Sequence, residues 1–190
     1  MIEKLEEYAK KNNIPIMQKD GIEFLCNYIK DNNITNILEI GTAIGYSAIK
    51  MCLTSSDVKV TTIERDIERY SVALKNIEGF NLKDRINVIL GDALEVNLTD
   101  KYDLIFIDAA KSQYIKFFEK FENNLNDNGT IVSDNLSFHG LVEDPSKTNN
   151  RNTRQLVGKI KRYIDYLKNN DKYITTFYQL GDGVAISIKR

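Results

Sequence analysis

Asp108, Asp134 and Asn135 are the residues of this chain best suited to holding a cation. Each follows an apolar, strand-like run: Asp103-Leu104-Ile105-Phe106-Ile107 leads into Asp108, and Thr130-Ile131-Val132-Ser133 leads into Asp134-Asn135. Two carboxylates and an amide oxygen at neighbouring strand ends form a hard oxygen set that suits magnesium or another hard divalent ion. Asp and Asn also open turns, so these three residues alone leave both readings available. Lys111, just past Asp108, is either a proton acceptor at the same place or a solvated lysine opening the next helix. Two further acids, Glu64 and Asp92, follow other strand-like runs. In an open α/β sheet, ligands bind in the crevice outside the strand C-termini, where all four carboxylates would gather.

A second constellation lies earlier. In Ile37-Leu38-Glu39-Ile40-Gly41-Thr42-Ala43-Ile44-Gly45-Tyr46-Ser47, an apolar run passes an acid, turns on two glycines and enters an amphipathic helix. That is how a βαβ unit begins, with a nucleotide-like ligand on the turn at the helix N-terminus. Position 43 is Ala, so the dinucleotide fingerprint Gly-x-Gly-x-x-Gly is absent. No Gly-Lys-Ser/Thr follows, so a phosphate loop is absent too. Glu64 stands about twenty residues beyond the turn, where an acid accepts both hydroxyls of a ribose; an ordinary polar strand end has the same appearance. The remaining pattern, Glu-x-Gly-x-x-x-Gly-Tyr-Ser, resembles the first motif of S-adenosylmethionine-dependent methyltransferases. The resemblance implies a cofactor site at Glu39, Gly41, Tyr46, Ser47 and Glu64, with adenine contacts from Asp92 and Ala93.

The elements that must position these residues alternate along the chain. Two helices are predicted over 2–13 and 18–33, followed by a strand at 37–40, its helix at 44–53 and a strand at 58–64. A helix over 66–78, a strand at 86–90, a strand at 103–108, a helix over 112–125 and a strand at 130–133 come next. Residues 135–152 read as a long loop, 153–169 as an amphipathic helix, and 173–180 with 184–188 as a hairpin around Gly181-Asp182-Gly183. Five βα units and a hairpin predict a Rossmann-like α/β fold: a mostly parallel seven-stranded sheet, one antiparallel C-terminal strand, and helices on both faces. The expectation is one domain over 1–190, with N-terminal helices at 1–35 and the core at 36–190.

Composition narrows the function classes. The 190 residues are 42% hydrophobic and 28% charged, with a net charge of −1, so no global field draws the chain to nucleic acid or membrane. No apolar run approaches the ~18 residues of a membrane span, and the mixed-charge N-terminus lacks a signal-peptide core. Cys26 and Cys52 stand alone, without metal or redox spacing. A cytoplasmic protein is the expectation.

Phe106-Ile107-Asp108-Ala109-Ala110-Lys111, Tyr114, Ser133-Asp134-Asn135 and Gly140-Leu141-Val142 together resemble the metal-dependent O-methyltransferases. That family includes catechol and caffeoyl-coenzyme A O-methyltransferases. The likeness runs from about Pro15 to the end. It implies a magnesium or similar ion on Asp108, Asp134 and Asn135, Lys111 as general base, and Asp108 touching the cofactor as well. Asp-Ala-Ala-Lys, Gly-Thr-Ala-Ile-Gly-Tyr-Ser, Gly181-Asp182-Gly183 and Pro15-Ile16-Met17 look like a bacterial branch, the tRNA 5-hydroxyuridine methyltransferases. That likeness implies an anticodon-loop uridine as acceptor, places Met17 against the cofactor and leaves a homodimer open. The substrate-capping insertions of the plant enzymes are missing, which argues against a coenzyme A ester.

For RNA, the local pointers are Lys147, Arg151, Arg154, Lys159, Lys161 and Arg162, in the long loop and on the polar side of the following helix. Basic residues there suit backbone phosphates; a solvated helix face has the same composition. A catechol and 5-hydroxyuridine both offer two adjacent oxygens, so chelation defines the reaction class without choosing between them. His139, the sole histidine, sits in the loop after Asn135, as a pocket residue or a bystander.

Overall fold

The computed structural model describes residues 1–190. Helices α1 (Ile2–Lys11) and α2 (Lys19–Asp31) lead into β1 (Asn36–Ile40), α3 (Tyr46–Cys52), β2 (Lys59–Glu64), α4 (Ile67–Gly79), β3 (Ile86–Leu90) and β4 (Tyr102–Ile107). Then come α5 (Tyr114–Phe121), β5 (Leu125–Ser133), α6 (Arg151–Lys168), β6 (Tyr173–Tyr178) and β7 (Val184–Lys189). The strands form one seven-stranded sheet in the order β3-β2-β1-β4-β5-β7-β6. Only β7 runs against its neighbours, pairing antiparallel with both β5 and β6. This is the predicted Rossmann-like architecture.

Its cause lies in the alternation of the central strands. Leu104 and Phe106 of β4 enter one apolar cluster with the faces of α2 and α3. Ile105 and Ile107 enter the other, with Phe117, Phe118 and Phe121 of α5 and Ile160, Tyr163 and Leu167 of α6. Successive side chains point to opposite faces of a strand, so a run apolar at every position needs cover on both sides.

Three elements depart most from the sequence-based expectation, each for a local reason. Helix α3 begins at Tyr46 rather than 44, because Gly45 takes φ 83° and stands outside it. The helix expected over 112–125 is α5 flanked by two short 3₁₀ turns, Lys111–Gln113 and Glu122–Asn124. Strand β5 starts at Leu125, pairing with Tyr102, and its register slips before Thr130 meets Leu104, so Asn126–Gly129 bulges within the strand rather than preceding it. The connection from β3 to β4 carries turns and no helix. No helix is long and apolar enough to cross a membrane.

Candidate active site

Parallel pairing brings the acids level. Backbone N–H groups just beyond the strands continue the ladder: Gly91 donates to Glu64 O at 2.9 Å, Asp108 to Ile40 O at 3.0 Å and Asp134 to Ile107 O at 3.2 Å. Beside these strand ends lies a cavity of about 320 Å³. Met17, Gly41, Tyr46, Ser47, Glu64, Asp92, Ala93, Asp108, Lys111 and Asn135, all singled out from the sequence, line it.

The β1–α3 turn forms its floor. Gly41 has φ 102°, and a Cβ there would sit 2.2 Å from Asp108 O, so only glycine lets the two strand ends approach. Glu64 is 7% exposed; its Oε2 accepts from Ala43 N at 2.8 Å and its Oε1 from Asp66 N at 2.9 Å. The carboxylate is thereby fixed with lone pairs left over for a ligand's hydroxyls. Tyr46 donates its hydroxyl to Glu6 of α1 at 2.8 Å, which ties the N-terminal helix to the pocket wall. Met17 is buried where α2's approach meets the cavity.

Glu39 is placed differently from the expectation of a direct cofactor contact. It is wholly buried and does not line the cavity. On β1 it alternates with Leu38 and Ile40, so it faces α3 beneath the turn. Ser47 Oγ donates to its Oε1 and Thr62 Oγ1 donates to its Oε2 at 2.5 Å. Burial pushes its pKa up to about 8, against the two hydroxyl donors, which pull it down. Ser47, which bonds to it, does reach the cavity.

Asp108, Asp134 and Asn135 cluster at the other end. Asn135, at φ 64°, spans the two acids: its Nδ2 donates to Asp108 Oδ1 at 2.8 Å and to Asp134 Oδ2 at 3.1 Å. Asp134 is 3% exposed, lies behind the cavity wall, and its Oδ1 has no hydrogen-bond partner. Burial, then the Asp108 charge, drives its pKa up to about 8; burial likewise raises Asp108. Like carboxylates this close, one oxygen orphaned, fit a cation between them. A half-turn of the Asn135 amide presents oxygen in place of nitrogen, completing a hard donor set. Nowhere does the chain gather three His, Cys, Asp or Glu side chains in metal-binding proximity; an ion at this cluster would have two carboxylates and one amide oxygen as its protein donors.

Lys111 begins the 3₁₀ turn after β4, lines the cavity beside Asp108, and has its Nζ 5.9 Å from the centre of the Phe138 ring. Tyr114, buried beneath, donates to Asp134 O at 3.1 Å. His139 lies outside the cavity lining with its side chain 72% exposed, 3.8 Å from Asp182.

Sequence reasoning missed Arg65 and Arg69, which line the cavity next to Glu64, and Phe117 on the far wall. Arg65 is signalled only by adjacency to Glu64. It also missed Asp182, buried beside the cluster on the turn before β7. Pairing of Ser133 with Ala185 brings that turn next to Asp134, which requires knowing that β7 inserts beside β5.

The sheet order and the strand-end cavity define a class: a Rossmann-like methyltransferase. The family model for O-methyltransferases matches residues 1–190, and the chain belongs to that family. It is 32% identical over 166 residues to a catechol O-methyltransferase of Niastella koreensis, covering 80% of this chain and 72% of that one. It is 27% identical over 190 residues to a caffeoyl-CoA O-methyltransferase of Populus kitakamiensis, covering 95% and 80%. Among solved structures, a candidate caffeoyl-CoA O-methyltransferase of Staphylococcus aureus matches with TM-score 0.95 and 41% identity, over 100% and 92% of the two chains. An O-methyltransferase of Bacillus cereus in complex with S-adenosylhomocysteine matches with TM-score 0.83 and 27% identity, over 100% and 90%. The chain is an S-adenosylmethionine-dependent O-methyltransferase.

Proposed function

We propose that this enzyme methylates one of two adjacent oxygens on a small catechol-type acceptor, held by a divalent ion on Asp108, Asp134 and Asn135. The observation that carries the reading is the orphaned, buried Asp134 Oδ1 within a hard-oxygen cluster that adjoins both Lys111 and the cofactor cavity. The relatives named for catechol and caffeoyl-CoA chemistry favour a small acceptor over a tRNA base. When bound, the ion lowers the pKa of the acceptor hydroxyl and fixes its direction, while the sulfonium supplies an electrophilic methyl.

The chain's own residues do the rest. Glu64 and Ser47 hold the cofactor's sugar and amino acid portions, and the short β1–α3 turn lets the cofactor lie against the strand ends. Asp108 lies between the two compartments and aligns them. Lys111 receives the hydroxyl proton as the acceptor oxygen attacks the methyl carbon; the carbon–sulfur bond breaks in line and leaves a neutral thioether.

A second reading keeps this chemistry and changes the acceptor to 5-hydroxyuridine in a tRNA anticodon loop. Lys147, Arg151, Arg154, Lys159, Lys161 and Arg162 are all exposed, and none pairs with a carboxylate. Helix α6, which bears most of them, packs on the turn carrying Lys111. The test is turnover of a simple catechol against hydroxylated tRNA, each with magnesium and with chelator. Catechol turnover that chelation abolishes supports the first reading. Methylation confined to tRNA supports the second, and loss of 5-methoxyuridine from tRNA of a strain lacking the protein would corroborate it. Activity indifferent to chelation defeats both.

A further inference from the structure

The chain after Asn135 is wound tightly where the sequence suggests an open loop. Phe138, His139 and Gly140 have φ of 49°, 58° and 76°. L-residues leave this left-handed region unless their surroundings hold them there, and here two of the three carry side chains. What holds them is the turn between β6 and β7. Asp182 is 5% exposed; its Oδ1 accepts from His139 N at 2.5 Å and its carbonyl from Ser137 N at 2.7 Å. Gly183 O accepts from Leu136 N at 3.0 Å. Gly183 itself, at φ 86°, lies so near the loop that a Cβ would come within 2.7 Å of Ser137 N. The strained stretch ends in one consequence for the site: the half-buried Phe138 ring faces Lys111 Nζ at 5.9 Å.

We infer that Asp182 is a positioning residue for the acceptor. Through the His139 N–H it keeps Phe138–Gly140 left-handed, so that Phe138 stands as the aromatic wall of the acceptor pocket opposite Lys111. The inference rests on the proposed reading that the acceptor binds beside Asp108 and Lys111. Nothing about Asp182 belongs to the cofactor half: neither it nor Phe138 lines the cofactor cavity. The role demands an oxygen acceptor at position 182 rather than a charge, and that separates the two obvious variants.

Asp182→Ala and Asp182→Asn test it, with a catechol as acceptor, magnesium present, cofactor affinity by calorimetry and amide exchange over 136–140. Asp182→Ala is expected to raise the acceptor KM about tenfold or more, since small misplacements of a positioning wall are costly. Cofactor affinity should stay within about twofold, and the 136–140 amides should exchange faster. Asp182→Asn, whose amide oxygen still accepts from His139, should bring KM back to within about threefold and restore protection. If Asp182→Ala lowers kcat and cofactor-binding stoichiometry together with KM unchanged, Asp182 merely supports folding and the proposal fails. Unchanged exchange over 136–140 also overturns it. Should Asp182→Ala not fold, Phe138→Ala decides, because it leaves every bond of Asp182 in place: a wild-type acceptor KM refutes the aromatic wall. A wild-type enzyme that turns over no vicinal-oxygen acceptor defeats the functional reading instead, and the exchange measurement still decides whether Asp182 holds the loop.

Discussion

The two halves of the sheet are finished to different degrees. On the β1–β3 side, the buried acids are provided for within the fold: Glu39 by Ser47 and Thr62, Glu64 by the Ala43 and Asp66 amides. On the β4–β7 side, Asp134 Oδ1 and Asp182 Oδ2 are buried without hydrogen-bond partners. The third such orphan, Tyr102 Oη, belongs to the first residue of β4, at the opposite end of that strand. A half whose polar groups are already paired is a rigid receptacle for the cofactor. On the proposed function, a half that leaves carboxyls crowded and oxygens orphaned is the one that a cation and an oxygen-bearing acceptor would complete. On that reading the fold divides the reaction: one side holds the cofactor, and the other leaves carboxyl oxygens free for the ion and the acceptor.

The sharpest way to break this division is Asp134→Ala. Removing the most buried donor should cost turnover on the order of 10²-fold or more, since an ion contributes several kcal/mol at the reacting oxygen. Cofactor affinity by calorimetry should hardly move. If activity survives this change and exhaustive chelation, the acceptor half is not an ion site.

Glu64→Ala is the mirror experiment. Loss of charge-assisted hydrogen bonds should weaken S-adenosylmethionine by ~1–3 kcal/mol. The acceptor KM at saturating cofactor should stay put. A shift of the acceptor constant by the same factor would show that the halves are not separable, and unchanged cofactor affinity would remove Glu64 from the site.

These two experiments concern the parts of the molecule most legible in the sequence. Acids after apolar β-branched runs announce strand ends, and a parallel sheet obliges strand ends to meet, so Glu64, Asp108 and Asp134 are readable as one crevice. Gly41 is readable because a turn that tight tolerates nothing else. Harder to read is anything set by which strand lies beside which. Asp182 reaches the cluster only because β7 inserts antiparallel between β5 and β6. Glu39 is legible as part of a motif but not as a buried support, because one residue of strand phase decides whether it faces the ligand or α3. The 138–140 winding is a tertiary effect of Asp182 and Gly183, with no local signal in Phe-His-Gly.

A smaller effect separates the two acceptor readings within the acceptor half. Reversing the charges of Arg151, Arg154 and Arg162 should reduce turnover of hydroxylated tRNA, with the loss greatest at low salt and shrinking as salt rises. For every phosphate that the protein no longer neutralises, the salt slope should flatten by about one unit. Turnover of a small catechol should be indifferent, since it needs only the ion site, Lys111 and the bound cofactor. Equal losses on both acceptors would indicate damage to α6 packing on the Lys111 turn. No loss on tRNA removes this face from RNA docking.

The smallest expected effect probes how completely the cofactor half is self-contained. Glu39 is buried with its pKa raised to about 8, from 4.5 when exposed. Below pH 4.5 the carboxyl is neutral folded or unfolded, and its share of stability is fully present. Between those values the unfolded chain releases the proton while the folded chain keeps it, so stability falls as pH rises. The slope from one such group is at most about 1.4 kcal/mol per pH unit, and it levels off above the folded value. Glu39→Gln keeps the shape and the hydrogen-bonding capacity toward Ser47 and Thr62 but has no proton to lose. Its urea midpoint should therefore decline less than that of the wild type between about pH 5 and pH 8, with the curves diverging most at the alkaline end. Asp108 and Asp134, also raised by burial, contribute a slope of the same sign in both proteins, so only the difference between them reports Glu39. Parallel curves would mean that Glu39 is ionised in the folded protein throughout this range. The β1–β3 half would then carry a buried charge of its own, and the contrast with the acceptor half would narrow to the orphaned oxygens alone.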